Sequence, residues 1–256
     1  MLYRLAGKLL FEPLVRGLFR ATIEGAENLP KTGAALLASN HLGMGDPIVI
    51  TTMVLPRRIV YLAKAELFVG RGLGRKIVAW FLKLINTVPV DRSGGRSSRE
   101  AFAPVLATLA QGNLVGIFPE GTRTPDGYLH KGKTGIARIA LAADVPVIPA
   151  AMIGSETVRP FGIPWVSHPR FVIGKPLTFS QFRDRSDDHE VLRYVTDEVM
   201  NAIMALSGQE YVDVYGGSIK SGAVSEADAQ LRMLPRPGGG KPPESGAGPS
   251  LPDAGR

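Results

Sequence analysis

Short strand-like runs alternate with helix-length stretches through most of this chain, and that alternation constrains the fold more than any other feature. Strand composition recurs at 34–38, 59–63, 87–90, 114–118, 147–152 and 170–173, with helical stretches expected at 47–55, 73–84, 97–110, 134–143 and 188–206. Several of the runs are apolar throughout, as strands covered on both faces are. The pattern predicts an α/β fold: a single domain with a mixed, largely parallel central sheet and helices on both faces, preceded by short N-terminal amphipathic helices. The uncharged run from Ala101 to Pro119 is long enough to suggest a membrane span, but Gln111-Gly112-Asn113 interrupts it with turn chemistry and splits it into a helix and a strand.

Outside that region the composition changes twice. Charges fall at Arg4, Lys8, Glu12, Arg16 and Arg20, leaving no apolar run sufficient for a signal peptide or a spanning helix. They draw a polar stripe along a helix that Pro13 should break or kink. Such a segment suits an anchor lying in an anionic headgroup layer, and equally an ordinary amphipathic helix packed on the domain. From Pro235 the chain is Pro- and Gly-rich with almost nothing to bury, so disorder is expected. The expected organisation is therefore 1–24 as membrane-association helices, 25–207 as the main domain, 208–234 as a C-terminal arm and 235–256 as a disordered tail.

The formal charge of +7 directs attention to anionic partners: phospholipid headgroups, a phosphorylated substrate, an acidic carrier or nucleic acid. No zinc-finger, basic-zipper or RNA-binding aromatic pattern accompanies it, which disfavours nucleic acid. There is no cysteine, hence no disulfide, thiolate metal site or cysteine nucleophile. The four histidines, His41, His130, His168 and His189, have no metal-ligand spacing, and no metal or cofactor is expected.

Two segments carry candidate chemistry. In Asn40-His41-Leu42-Gly43-Met44-Gly45-Asp46-Pro47, an imidazole and a carboxylate flank a glycine-bearing loop. On a regular helix they would lie about 140° apart, so contact requires the loop to bend, which the glycines permit. Asp46 and Pro47 read as the N-cap and first residue of the next helix. Alone, the pair describes either a general-base arrangement or a capping Asp beside a loop His bonded to backbone. Further on, Phe118-Pro119-Glu120-Gly121-Thr122-Arg123 runs from a strand end into a loop able to cradle an anion with backbone, the Thr122 hydroxyl and the Arg123 fork. An isolated match of this kind reads first as a turn with a solvated Arg. Lys131 and Lys133 add positive charge nearby, and Arg92, delivered by the strand at 87–90, is a second candidate for a phosphate clamp.

Together, from Leu29 to Lys175, these segments resemble the glycerolipid acyltransferase family typified by bacterial 1-acyl-sn-glycerol-3-phosphate acyltransferases. His41 and Asp46 match its His-x4-Asp block, Phe118 to Arg123 its Phe-Pro-Glu-Gly-Thr-Arg block, and Val145 to Pro149 its fourth block. Leu206 to Asp213 resembles the C-terminal region of actinobacterial members. Asn86 stands where the second block has Gly. The resemblance implies a peripheral enzyme on the cytoplasmic face of the plasma membrane. It would move an acyl group from acyl-CoA or acyl-carrier protein to the free hydroxyl of 1-acyl-sn-glycerol-3-phosphate, giving phosphatidic acid, with His41 as base and Asp46 orienting it. Arg92, Glu120, Gly121, Thr122 and Arg123 would form the acceptor site, Glu120 in a structural role. Another lysophospholipid, glycolipid or lyso-aminolipid acceptor fits the same blocks, and a non-catalytic lipid-binding module is the reading from a different class. Ile48, Met53, Trp80, Phe81 and Leu84 are candidates for an acyl groove, each equally at home in a core.

Overall fold

A computed structural model describes residues 12–64, 87–90, 98–156, 168–240 and 242–243. Its centre is a seven-stranded sheet in the order β1-β8-β7-β2-β5-β3-β4, formed by β1 (Thr22–Glu24), β2 (Ala35–Ser39), β3 (Ile59–Lys64), β4 (Thr87–Val90), β5 (Leu114–Ile117), β7 (Val147–Ile153) and β8 (Arg170–Ile173). Every neighbouring pair is parallel except β7 and β8. A small second sheet joins β10 (Met233–Leu234), β9 (Tyr211–Val212) and β6 (Leu129–His130). The described helices are α1 (Asp46–Met53), α2 (Ser98–Ala110), α3 (Gly135–Ala143), α4 (His189–Ser207), α5 (Gly216–Lys220) and α6 (Glu226–Gln230).

β2 shows why the apolar runs become central strands. All five of its residues are buried, because alternate side chains enter separate cores on the two faces of the sheet. Leu36 and Ala38 meet α2, α3 and α4 on one face, while Ala35 and Leu37 meet α1 on the other. α4 starts where Asp188 accepts from the Glu190 and Val191 amides, and it ends at Gly208 in the left-handed region.

Two boundaries differ from the sequence expectation. Residues 22–24 join the sheet as an edge strand beside β8, and Val15, within the π-helical turn Pro13–Leu18, is buried in the core on the α1 face. Val15 thus packs as core while Pro13, Arg16 and Gly17 stay exposed; residues 1–11 lie outside those described. The helix expected at 73–84, with Trp80, Phe81 and Leu84, and the positions Asn86 and Arg92 also lie outside them. The Pro/Gly-rich stretch is ordered where it begins. Pro237 is buried, Arg236 pairs with Glu198 of α4, and Gly238, at φ 62°, lies against Asp197. A charge partner and a close backbone approach there compensate for the lack of apolar side chains.

One glycine links the sheet to the site. A Cβ on Gly116 of β5 would stand 2.5 Å from the Tyr61 ring and 2.9 Å from Ile59 Cδ1. The space is taken by Tyr61, which stacks at 6.0 Å on Phe118, which in turn stacks at 4.1 Å on the imidazole of His41. Gly116→Ala should therefore destabilise the protein by about 1–3 kcal/mol through overpacking, measured by urea unfolding; an unchanged midpoint would show that the ring shifts freely.

Candidate active site

Because β2, β5 and β7 are adjacent and parallel, their C-terminal ends lie along one edge of the sheet, the usual ligand edge of such sheets. The chain leaves β2 through Asn40 and His41, β5 through Phe118 to Glu120, and β7 through Gly154 and Ser155. Residues distant in sequence are collected there.

Asn40 is fully buried and extends the β2–β7 pairing with its side chain. Its Oδ1 accepts from the Met152 amide at 2.7 Å, and its Nδ2 donates to the Met152 carbonyl at 2.9 Å and to Gln209 Oε1 at 2.6 Å. The next residues fold around Asp46, which is 0% exposed. Asp46 Oδ2 accepts from the Leu42 and Gly43 amides at 2.8 and 2.9 Å and from His41 Nδ1 at 2.8 Å, while Oδ1 accepts from Ser155 Oγ at 2.6 Å. The loop can close this tightly because Gly43 has no side chain: a Cβ there would stand 2.3 Å from the Ser155 carbonyl oxygen.

The expected cap is thereby displaced by one residue. Gly45 is the N-cap of α1, and Asp46 is its first residue, with no side-chain capping bond forward into the helix. The carboxylate faces backwards because the loop amides, the imidazole and the serine outnumber what the helix end offers. The chemical result is a defined tautomer. An ionised carboxylate only accepts, so His41 Nδ1 carries the proton and Nε2 is left with a lone pair, able to act as a base.

Glu120 lies beneath the second loop, 1% exposed. Its two oxygens accept from the His41 amide at 3.3 Å and the His130 amide at 3.1 Å, and the Thr124 amide returns to the His41 carbonyl at 2.8 Å. The two loops are thus fastened on both sides of His41. Burial pushes the Glu120 carboxyl up to about 8, against the His130 and His41 amides, which favour its charged form. Gly121 takes the turn at φ 72° and places Lys133 alongside, while Thr122 and Arg123 project from the exposed side. Lys131 is held by Asp213 at 3.0 Å instead. Of the candidate acyl-groove residues within the described structure, Met53 is core and Ile48 packs partly buried on it.

Residues that the sequence did not single out complete the arrangement. Ser155, Gln209 and Lys220 reach it over separations of 97 residues or more, and no local pattern marks such contacts. His130 is fully buried, with Nε2 at 2.8 Å from Asp126 and Nδ1 at 3.3 Å from the Val214 carbonyl; it ties the second loop to the C-terminal arm. Among the described residues, no cluster of three His, Cys, Asp or Glu side chains could hold a metal ion.

The family model described as Acyltransferase matches residues 20–153. The chain is 34% identical over 157 residues to a 1-acyl-sn-glycerol-3-phosphate acyltransferase of Bacillus subtilis, covering 61% of this chain and 73% of that one. To a chloroplastic 1-acyl-sn-glycerol-3-phosphate acyltransferase of Arabidopsis thaliana it is 30% identical over 163 residues, which span 62% of this chain but only 44% of the plant protein. Among solved structures it is similar to the 1-acyl-sn-glycerophosphate (LPA) acyltransferase of Thermotoga maritima, with a TM-score of 0.51, 26% identity and coverage of 73% and 78% of the two chains.

Glu120 generates a pH prediction. Its folded value lies above its ordinary 4.5, so the native state holds a proton that the unfolded chain has lost. Its contribution to stability is present at low pH and declines between about pH 4.5 and 8, by at most about 1.4 kcal/mol per pH unit. Relative to Glu120→Gln, the wild type should lose stability across that window in urea titrations; parallel pH profiles would contradict it. Separately, Ser155→Ala should destabilise the protein by about 1–3 kcal/mol by removing one donor from the buried Asp46 carboxylate, measured by urea unfolding; an unchanged midpoint would show that the bond contributes nothing.

Proposed function

The chain belongs to the acyltransferase family, and from that premise we propose that it moves a fatty acyl group from a thioester donor to the free hydroxyl of 1-acyl-sn-glycerol-3-phosphate, giving phosphatidic acid. The observation that carries the reading is the His41–Asp46 pair, held at 2.8 Å at the ligand edge of the sheet. The names of the Bacillus, Arabidopsis and Thermotoga relatives support the acceptor.

In this reaction His41 Nε2 takes the proton of the acceptor hydroxyl as its oxygen attacks the thioester carbonyl. Asp46 keeps Nδ1 protonated and stabilises the imidazolium that forms. The tetrahedral intermediate collapses with cleavage of the C–S bond, and the proton passes from His41 to the departing thiolate. No covalent enzyme intermediate is needed, since the thioester is already activated, and alignment of the two substrates supplies much of the rate. The donor is acyl-CoA or acyl-carrier protein. Arg123 and Arg92 take the acceptor phosphate with the Gly121–Thr122 turn, while Glu120 holds that turn from inside.

The acceptor is a lipid, so the enzyme works at an anionic membrane surface, on the cytoplasmic face, with the positive net charge of +7 assisting. Among the described residues no helix is long and apolar enough to cross a membrane, and peripheral attachment fits that observation.

The test is thiol release on liposomes with and without 1-acyl-sn-glycerol-3-phosphate. Release should require the acceptor and should fall by at least about 1,000-fold in His41→Ala, with liposome binding retained. An active His41→Ala enzyme would remove His41 as the base, and release with a different lyso-lipid alone would replace the acceptor.

A further inference from the structure

The exposed turn Gly121–Thr122–Arg123 is met from the C-terminal arm by Lys220, the last residue of α5. Its Nζ donates to Thr122 Oγ1 at 2.9 Å and to the carbonyl of Arg123. Lys133 lies along the same turn, with its Cδ, Cε and Nζ only 3.1–3.3 Å from where a Cβ on Gly121 would stand. Three cations therefore gather at one accessible place, and among the described residues none of them forms an ion pair with a carboxylate. The contrast with Lys131, matched by Asp213 at 3.0 Å, is direct. Glu120 is nearby, but both its oxygens already serve the His41 and His130 amides beneath the turn. Partial burial and the Arg123 guanidinium push the Lys220 ammonium below its usual range, with Glu120 acting the other way. Such crowding is relieved by an anion.

We infer that Lys220 is a further cation of the acceptor's phosphate site, supplied by the arm from beyond the family-matched residues 20–153, and that it favours a phosphomonoester headgroup over an uncharged or zwitterionic one. The inference rests on the acceptor proposed above. A phosphomonoester carries about −1.5 to −2 charges at neutral pH, more than one guanidinium neutralises. An ammonium has three donors; two are engaged by Thr122 and Arg123, which aims the group and leaves one for a ligand oxygen. The arm is positioned for this by the β6–β9 pairing and by the buried His130 ring, whose Nδ1 lies 3.3 Å from the Val214 carbonyl.

The experiment uses the full chain with Lys220→Gln, which retains a donor for Thr122 and removes the charge, and with Lys220→Arg, which retains the charge. Two quantities are read: KM and kcat for 1-acyl-sn-glycerol-3-phosphate, and the rise in unfolding midpoint caused by sn-glycerol 3-phosphate. Lys220→Gln should raise the acceptor KM roughly tenfold, with a much smaller change in kcat and in donor KM, and should lose most of the midpoint rise; Lys220→Arg should stay near wild type. A fall in kcat at unchanged KM, with the midpoint rise intact, overturns the inference and leaves Lys220 as a fastener of the arm. A wild type that does not acylate the lipid yet is stabilised by sn-glycerol 3-phosphate through Lys220 overturns the acceptor reading and supports the anion site. No midpoint rise in the wild type overturns the anion site.

Discussion

The active-site end of the sheet is organised around a carboxylate that touches no water. Isolating an ionised carboxylate costs several kcal/mol unless donors replace its hydration, and Asp46 has four: two loop amides, the His41 imidazole and the Ser155 hydroxyl. These come from the loop after β2 and from the end of β7, so one group sets the shape of the loop, the start of α1 and the spacing between two strand ends. Orientation of the imidazole follows from the same requirement. His41 is fixed from below by Phe118 and through its backbone by Glu120 and Thr124, which leaves few ways to move the ring without exposing an unpaired donor.

Much of the central architecture was legible because it is written in local periodicity. Four apolar or β-branched runs became β2, β3, β5 and β7 within one residue of their expected limits, and β4 and β8 matched at both ends, since strands buried on both faces need continuous apolar sequence. β1 escaped because three residues, Thr-Ile-Glu, carry no period and follow a segment patterned like a helix. β6, β9 and β10, two residues each, lie below any pattern's resolution. Asp46 was misplaced as the N-cap for a physical reason: Asp-Pro is the usual signature of a helix start, and only the partners gathered from β7 and the preceding loop draw the side chain the other way.

The site itself divides along the same line. His41, Asp46 and the Glu120–Arg123 turn stand in short contiguous segments and could be named from residue type and spacing. Ser155, Gln209 and Lys220 act across the fold; each is an ordinary polar residue until the fold brings it to the edge. Glu120 sits between these cases: the resemblance gave it a structural role within the expected acceptor site, and in the fold it faces inward onto two amides.

The contact between Asn40 and Gln209 spans 169 residues, and it bears on how the protein is made. During synthesis the chain emerges N-terminal end first, so the loop bearing His41 exists long before its last partners have left the ribosome. β2 waits for β5 and β7 to flank it, and the arm arrives only after α4 has formed. Closing such distant contacts is entropically slow. All seven strands of the central sheet are synthesised before Gln209, the partner that completes the Asn40 contact at their edge.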